Sequence, residues 1–210
     1  MNFAEELANV LPADLPHRAN VITKTAQHLE LIAQVNEHLN LTRITTPREA
    51  AIKHVLDSVL PWRLFAAAMH ILDAGTGAGF PGIPLALVFP EIQFTLSESI
   101  QKKAKFVQSA VDALSLPNVK VTSERAEEFA AKNRVDVITA RAVAPLSKAI
   151  TLFAPVLKTG TRALFYKGPD AEAEIAEAKN RNLALRVVER YDLPDGLGTR
   201  TIVEIARRKT

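Results

Sequence analysis

The stretch Ile71-Leu72-Asp73-Ala74-Gly75-Thr76-Gly77-Ala78-Gly79-Phe80-Pro81-Gly82-Ile83-Pro84 restricts this chain more than any other, because an apolar run ends there in an acid followed by glycine at every second position. Such glycines let the backbone turn sharply after a strand. Their missing side chains also allow a ligand to lie against main-chain N–H groups at the start of a helix. The pattern predicts a nucleotide-type pocket. Pro81 and Pro84 fit the first turn of the helix that follows, where N–H groups lack intrahelical partners.

Two nucleotide readings compete. Gly77-x-Gly79-x-x-Gly82 satisfies the pattern of dinucleotide-binding folds, which alone is a weak signal. Asp73-x-Gly75-x-Gly77-x-Gly79 resembles the first motif of class I S-adenosylmethionine methyltransferases. A ligand-free glycine turn and a nicotinamide site remain as alternatives.

The 210 residues, 48% of them hydrophobic, are enough for one α/β core with a small extension and short for two full domains. The expected division is a helical extension at 1–68 and a compact domain at 69–210. A net charge of +3, a pI near 9.2 and the tail Arg207-Arg208-Lys209 permit a nucleic acid partner without demanding one. A solvated chain end explains the tail equally well. With no cysteine there can be no disulfide, no thiolate metal site and no Cys nucleophile, which removes the covalent route to 5-methylcytosine. Five histidines without paired spacing predict no metal site. No basic start precedes an apolar core, and no stretch is long enough to cross a bilayer. The expectation is a cytoplasmic monomer with no membrane partner.

Residues 2 to about 40 read as helical, with Ile22, Ala26, Leu29 and Ile32 at three- and four-residue steps. Thr46-Pro47-Arg48-Glu49 reads as a helix start closed by a capping box, and that helix carries Lys53, His54, Asp57 and Ser58. Beyond the glycines, a short helix at 84–89 and a strand at 92–97 lead to Glu98. A helix bearing Lys102, Lys103 and Lys105 follows. Strands at 119–123, 135–140 and 162–167 then alternate with helices near 126–132, 146–156 and 171–182. This alternation predicts a doubly wound, mostly parallel sheet. The strand-like stretches 185–193 and 200–206 have only Pro194-Asp195-Gly196-Leu197-Gly198-Thr199 between them, too little for a crossover helix. They predict a hairpin, which resembles the antiparallel last strand of class I methyltransferases and counts against a nicotinamide dehydrogenase.

In an open α/β sheet the ligand lies beyond the carboxyl ends of the strands, so the residues following each strand are the candidates. These are Gly75 and Gly77 with Phe80; Glu98, about 20 residues on, where an acid binds ribose hydroxyls; Arg125-Ala126-Glu127-Glu128; Arg141; and Lys167-Gly168. Glu98 could instead be an exposed strand-end carboxylate, and Glu127 with Glu128 an acid-rich first helical turn. His54, Asp57 and Ser58 share one short helix, where their directions do not converge as a hydrolytic triad must. Asp57 and Ser58 are expected to hold that helix against the nucleotide loop. Lys53, His54, Arg141 and Lys167 are expected to form a basic rim facing RNA, and the Lys102 cluster reads better as a solvated helix face.

Asn40-Leu41-Thr42, His54-x-Leu56-Asp57-Ser58, the run from Asp73 to Ala86, Glu98-Ser99-x-x-Lys102-Lys103 and Arg141-Ala142-Val143-Ala144 together resemble the small-subunit rRNA guanine-N7 methyltransferase family RsmG, also called GidB. The likeness runs from about residue 20 to Arg200-Thr201-Ile202-Val203; one departure is Ser97, where the family usually has an aliphatic residue. It implies transfer of a methyl group from S-adenosylmethionine to guanine N7 in 16S rRNA or the small ribosomal subunit, with S-adenosylhomocysteine as product. It further implies cofactor contacts from Gly75, Phe80, Ala126, Glu127 and Arg141, with Glu98 on the ribose by analogy across the class. Guanine N7 already exposes a lone pair, so alignment suffices and no general base is expected. Exocyclic amine targets usually go with an Asn/Asp-Pro-Pro-aromatic loop, where this chain has Ala140-Arg141-Ala142-Val143. A cofactor-sensing RNA-binding protein and a small-molecule methyltransferase are the competing functions; methyl transfer to rRNA and salt-sensitive RNA affinity separate them.

Overall fold

A computed structural model describes residues 2–44, 46–141, 145–178 and 180–208. The N-terminal stretch read as helical forms two helices, α1 (Phe3–Val10) and α2 (Arg18–Leu39). Pro12 and Pro16 between them lack an N–H and fix φ, which ends helical pairing there. The Arg18 guanidinium instead donates to the carbonyls of Ala8 (2.6 Å) and Pro12 (3.1 Å), serving the open end of α1. α2 ends on Asn40 at φ +49°, and the Asn36 amide clasps the Thr42 backbone through bonds of 2.8 and 2.9 Å.

The next helical run comprises α3 (Pro47–Ala50), a π-helical turn (Ala51–Leu56) and α4 (Asp57–Val59). Thr46 caps it by accepting the Glu49 N–H at 3.3 Å. The reciprocal half of the expected capping box is replaced by an ion pair between Glu49 and Lys53, Nζ to Oε1 2.7 Å. Single π turns of this kind are often found near functional sites.

The described residues form a seven-stranded sheet in the order β3-β2-β1-β4-β5-β7-β6. Its strands are β1 (His70–Ala74), β2 (Gln93–Ser97), β3 (Val119–Thr122), β4 (Val137–Arg141), β5 (Arg162–Lys167), β6 (Leu183–Asp192) and β7 (Thr199–Arg207). The first five are parallel, and β7 runs antiparallel between β5 and β6. Helices α5 (Gly82–Val88), α6 (Gln101–Ala113), α7 (Ala126–Lys132), α8 (Leu146–Leu157) and α9 (Ala171–Glu177) make the crossovers. The last stops well short of residue 182. A single 3-10 turn (Pro194–Gly196) joins β6 to β7.

Successive strand residues face opposite layers. Ile71, Phe94, Leu96, Val137 and Leu164 join one core with α1, α2, α5 and α6, whereas Leu72, Ile138, Ala163, Phe165 and Val203 join another with α7 and α8. The N-terminal helices thus share a core with one face of the sheet. None of the described helices is long and apolar enough to cross a membrane.

Candidate active site

The turn after β1 is tied down on both sides. Asp73, fully buried, accepts from the Thr76 hydroxyl (2.6 Å) and the Gly82 N–H (2.8 Å) through Oδ2, while its Oδ1 has no partner. Burial pushes its carboxyl up to about 6. The N–H groups of Gly75 and Thr76 donate to the Ser97 carbonyl at 2.9 and 3.0 Å, and Ser97 turns its own hydroxyl to the Glu124 carbonyl (2.7 Å). Glu98, buried, accepts from Gly77 N–H at 3.1 Å and from Ile100 N–H at 2.9 Å.

Gly75 and Gly77 sit at φ +70° and +63°, and a Cβ on either would point into open space. Gly79 and Gly82 are crowded: a Cβ on Gly79 would lie 2.6 Å from Ile83, and one on Gly82 would overlap Leu96 and lie 2.7 Å from Asp73 Oδ2. The first two glycines leave room for a ligand against the main chain; the last two let α5 and α2 approach.

Above Gly75 and Gly77 opens a cavity of about 480 Å³ lined by Lys53, His54, Asp57, Phe80, Arg141, Tyr166, Lys167 and Arg200, with Leu41 and Ile44 from the segment after α2. The sequence candidates Gly75, Gly77, Phe80, Lys53, His54, Arg141 and Lys167 therefore meet at one place. Glu98, Ala126 and Glu127 lie outside this wall, on the β2 and β3 side of the same sheet edge. Ala142, Val143 and Ala144 are outside the described residues.

The expected basic rim needs correction, because most of its charge is already matched or absent. His54 is buried and stacked on Phe80 (ring centroids 4.7 Å, 10° between planes), and burial lowers it to about 3, leaving it neutral. Its Nε2 meets the Thr42 hydroxyl at 3.0 Å. Lys53 is paired with Glu49, and Lys167 with Glu174 at 2.8 Å. One Arg141 nitrogen donates to the carbonyls of Lys53 (2.7 Å) and His54 (3.3 Å) and to Asp57 Oδ2 (3.3 Å), with the guanidinium 5.3 Å from the Phe80 ring centre. Both carbonyls belong to the π turn, of the kind often found at functional sites. Lys102 and Lys105 are exposed and are not part of the cavity wall.

The role expected of Asp57 also changes. It binds not the glycine loop but residues of β7, β4 and β6: Arg200 Nε at 3.1 Å, Arg141 at 3.3 Å, and the Tyr191 hydroxyl at 3.2 Å. Ser58 accepts the Tyr166 hydroxyl on its carbonyl at 2.7 Å. The residue that does grip the loop is His28 on α2, which sequence reasoning missed. It is fully buried, bonds the Ala78 carbonyl through Nε2 at 2.8 Å and packs against Phe80 at 4.8 Å. Burial lowers it to about 4. Arg200 was likewise missed as a site residue, since nothing local marks a strand arginine as facing a cavity.

Among the described residues no three His, Cys, Asp or Glu side chains are grouped to hold a metal ion. The sequence pattern of the rRNA small subunit methyltransferase G family (GidB) matches residues 21–201. This chain belongs to that family. A ribosomal RNA small subunit methyltransferase G from Solibacter usitatus is 63% identical over 209 residues, covering 98% of this chain and all of its own. A mutant of MtNAS solved in complex with S-adenosylmethionine superposes with a TM-score of 0.60 at 15% identity, over 94% of this chain and 80% of its own. A SAM-dependent O-methyltransferase from Thermotoga maritima does so at 0.56 and 17%, over 86% and 72%. The sheet order, antiparallel β7 and these neighbours give the class I methyltransferase fold, and family membership makes the protein a methyltransferase.

Proposed function

We propose that the protein transfers a methyl group from S-adenosylmethionine to N7 of a guanine in 16S rRNA. The observation that carries the N7 assignment is that, among the described residues, the cavity wall holds no usable proton acceptor. Asp57 is committed to Arg141, Arg200 and Tyr191, His54 is too weak a base at about 3, and the Tyr166 proton is given to Ser58. A nucleophile that must lose a proton is poorly served there, whereas guanine N7 needs only alignment. The family name and that of the Solibacter relative support rRNA as the substrate.

The residues fit the cofactor: Gly75 and Gly77 leave an open cradle at the strand end, and Glu98 keeps acceptor capacity beside Gly77. S-adenosylmethionine, when bound, supplies an electrophilic methyl on a sulfonium. Gly75, Gly77, Phe80, Glu98, Ala126, Glu127 and Arg141 are assigned to holding it. Lys53, His54 and Lys167 are assigned to the RNA side, His54 as a neutral stacking and hydrogen-bonding group rather than a cation. Residues 1–68 act as an extension that closes one side of the site over the domain at 69–210.

The test maps N7-methylguanine in small-subunit rRNA from cells with and without the protein. No difference between the two would end this reading. In single-turnover assays on undermethylated 30S particles, Arg141→Ala should lose about a hundredfold in rate, the scale of a positioning failure. Arg141→Lys should recover little, because an ammonium on a shorter, single-point head does not reproduce a planar guanidinium that bonds the Lys53 carbonyl through one nitrogen while lying against the Phe80 ring. Wild-type rates in both would remove Arg141 from the site.

A further inference from the structure

The arginines at the far edge of the sheet have no part in the site. Here Ala184 on β6 stands opposite Ala206 on β7, with Arg186 opposite Glu204 one step along the same face. The two alanines floor a groove of about 420 Å³ walled by Arg186, Arg207 and Arg208. A second groove, about 610 Å³ on the opposite face, is lined by Arg181, Leu183, Leu185 and again Arg208. All four arginines are exposed. Glu204 is the one carboxylate lining either groove among the described residues. It is buried between Arg186 (2.6 Å) and Arg162 (3.3 Å), so two cations already offset it.

We infer that this arginine-walled edge is a second docking surface for the RNA backbone, remote from the cavity. Three features point to nucleic acid. The net charge is positive, because Glu204 is offset by Arg186 and Arg162 while Arg181, Arg207 and Arg208 stand exposed, and guanidinium groups suit phosphate oxygens. The alanine floor leaves the groove open enough for a strand to approach. And β7 links the two places, since Arg200 stands at the cavity and Arg207 seven residues on, roughly 24 Å away at strand rise. A substrate contacting both ends must extend along the β6–β7 edge, as a large folded RNA can and a small molecule cannot. This inference rests on the RNA reading above.

The test uses the full chain and a small-subunit rRNA fragment whose methylation by the wild type is established first. Arg181→Gln with Arg207→Gln removes two charges without touching the Glu204 pair or the bond from Arg208 to the Leu183 carbonyl. Adding Arg208→Gln in a second variant, with melting temperature in parallel, extends the series. Each phosphate contact contributes about 0.7–0.9 to the slope of log affinity against log salt. The double variant should therefore lose affinity between 50 and 200 mM salt by roughly tenfold less than the wild type does. Its RNA KM should rise while kcat at saturating RNA and cofactor affinity stay unchanged. An unchanged salt slope overturns the docking surface, as does a defect seen with 30S particles but not with naked rRNA, which would indicate a protein contact. A wild type that neither binds nor methylates rRNA overturns the functional reading itself, and is read before any variant.

Discussion

The four glycines of the nucleotide turn look alike in sequence, yet their surroundings assign them different work. A Cβ at Gly75 or Gly77 would meet nothing, so Gly75→Ala should be felt mainly through its positive φ, about 1–2 kcal/mol, and through lost cofactor affinity. Gly82→Ala has no such room, because its methyl would overlap Leu96 and press on Asp73 Oδ2. Overpacking of that kind costs about 1–3 kcal/mol or more, and here it also disturbs the N–H that Asp73 accepts. Thermal melts and cofactor titration on the two variants should separate them: Gly75→Ala folded but weak in binding, Gly82→Ala the less stable. Equal loss of stability in both would contradict the distinction.

At the scale of elements, the helical run over 47–59 is fixed to the sheet by a buried carboxylate. Asp57 is 2% exposed and answers Arg141 from β4, Arg200 from β7 and Tyr191 from β6. Removing it leaves two partly buried guanidiniums without a counter-charge, a cost of up to about 3–5 kcal/mol. Asp57→Ala is therefore expected to lose about that much in urea unfolding and to displace Arg141 from the cavity. A loss under about 1 kcal/mol, the scale of an exposed pair, would mean that apolar contacts alone hold the helix. The π turn belongs to the same device, since its Lys53 and His54 carbonyls receive Arg141.

For the whole molecule, three buried ionisable groups set how stability follows pH. His28 and His54, lowered from 6.5 to about 4 and about 3, bind fewer protons folded than unfolded, so each makes stability fall as pH drops below 6.5. Asp73, raised to about 6, keeps a proton that the unfolded chain has released and acts in the opposite sense between pH 6 and 4. Two histidines outweigh one carboxyl, leaving a net slope of about one proton, roughly 1.4 kcal/mol of stability lost per pH unit on acidification. Urea unfolding followed by Trp62 fluorescence from pH 7 to 4 measures it. His28→Phe should bring the slope close to zero, and a wild type that gains stability toward pH 4 would contradict the account.

The doubly wound order, the closing hairpin and the glycine turn were all legible from the sequence, because each rests on rules that act within a few residues: strand and helix periodicity, proline and glycine dihedrals, loop length. The same local reading overlooked the break at Pro12 and Pro16, where helical spacing in 18–39 was extended past two residues that cannot continue it. It also located most of the cavity lining, since residues after parallel strands collect at one edge. What it could not give was the state of those side chains. Lys167 and Glu174, Asp57 and Arg200, His28 and Ala78 are brought together only by packing, the latter two pairs across 143 and 50 residues. Whether a cation is spent on a carboxylate, or an imidazole is stripped of water and left neutral, depends on neighbours that no local pattern names. Burial and charge pairing are properties of the assembled core, so the tertiary structure alone decided which of the expected basic residues are matched by a carboxylate and which one is neutral.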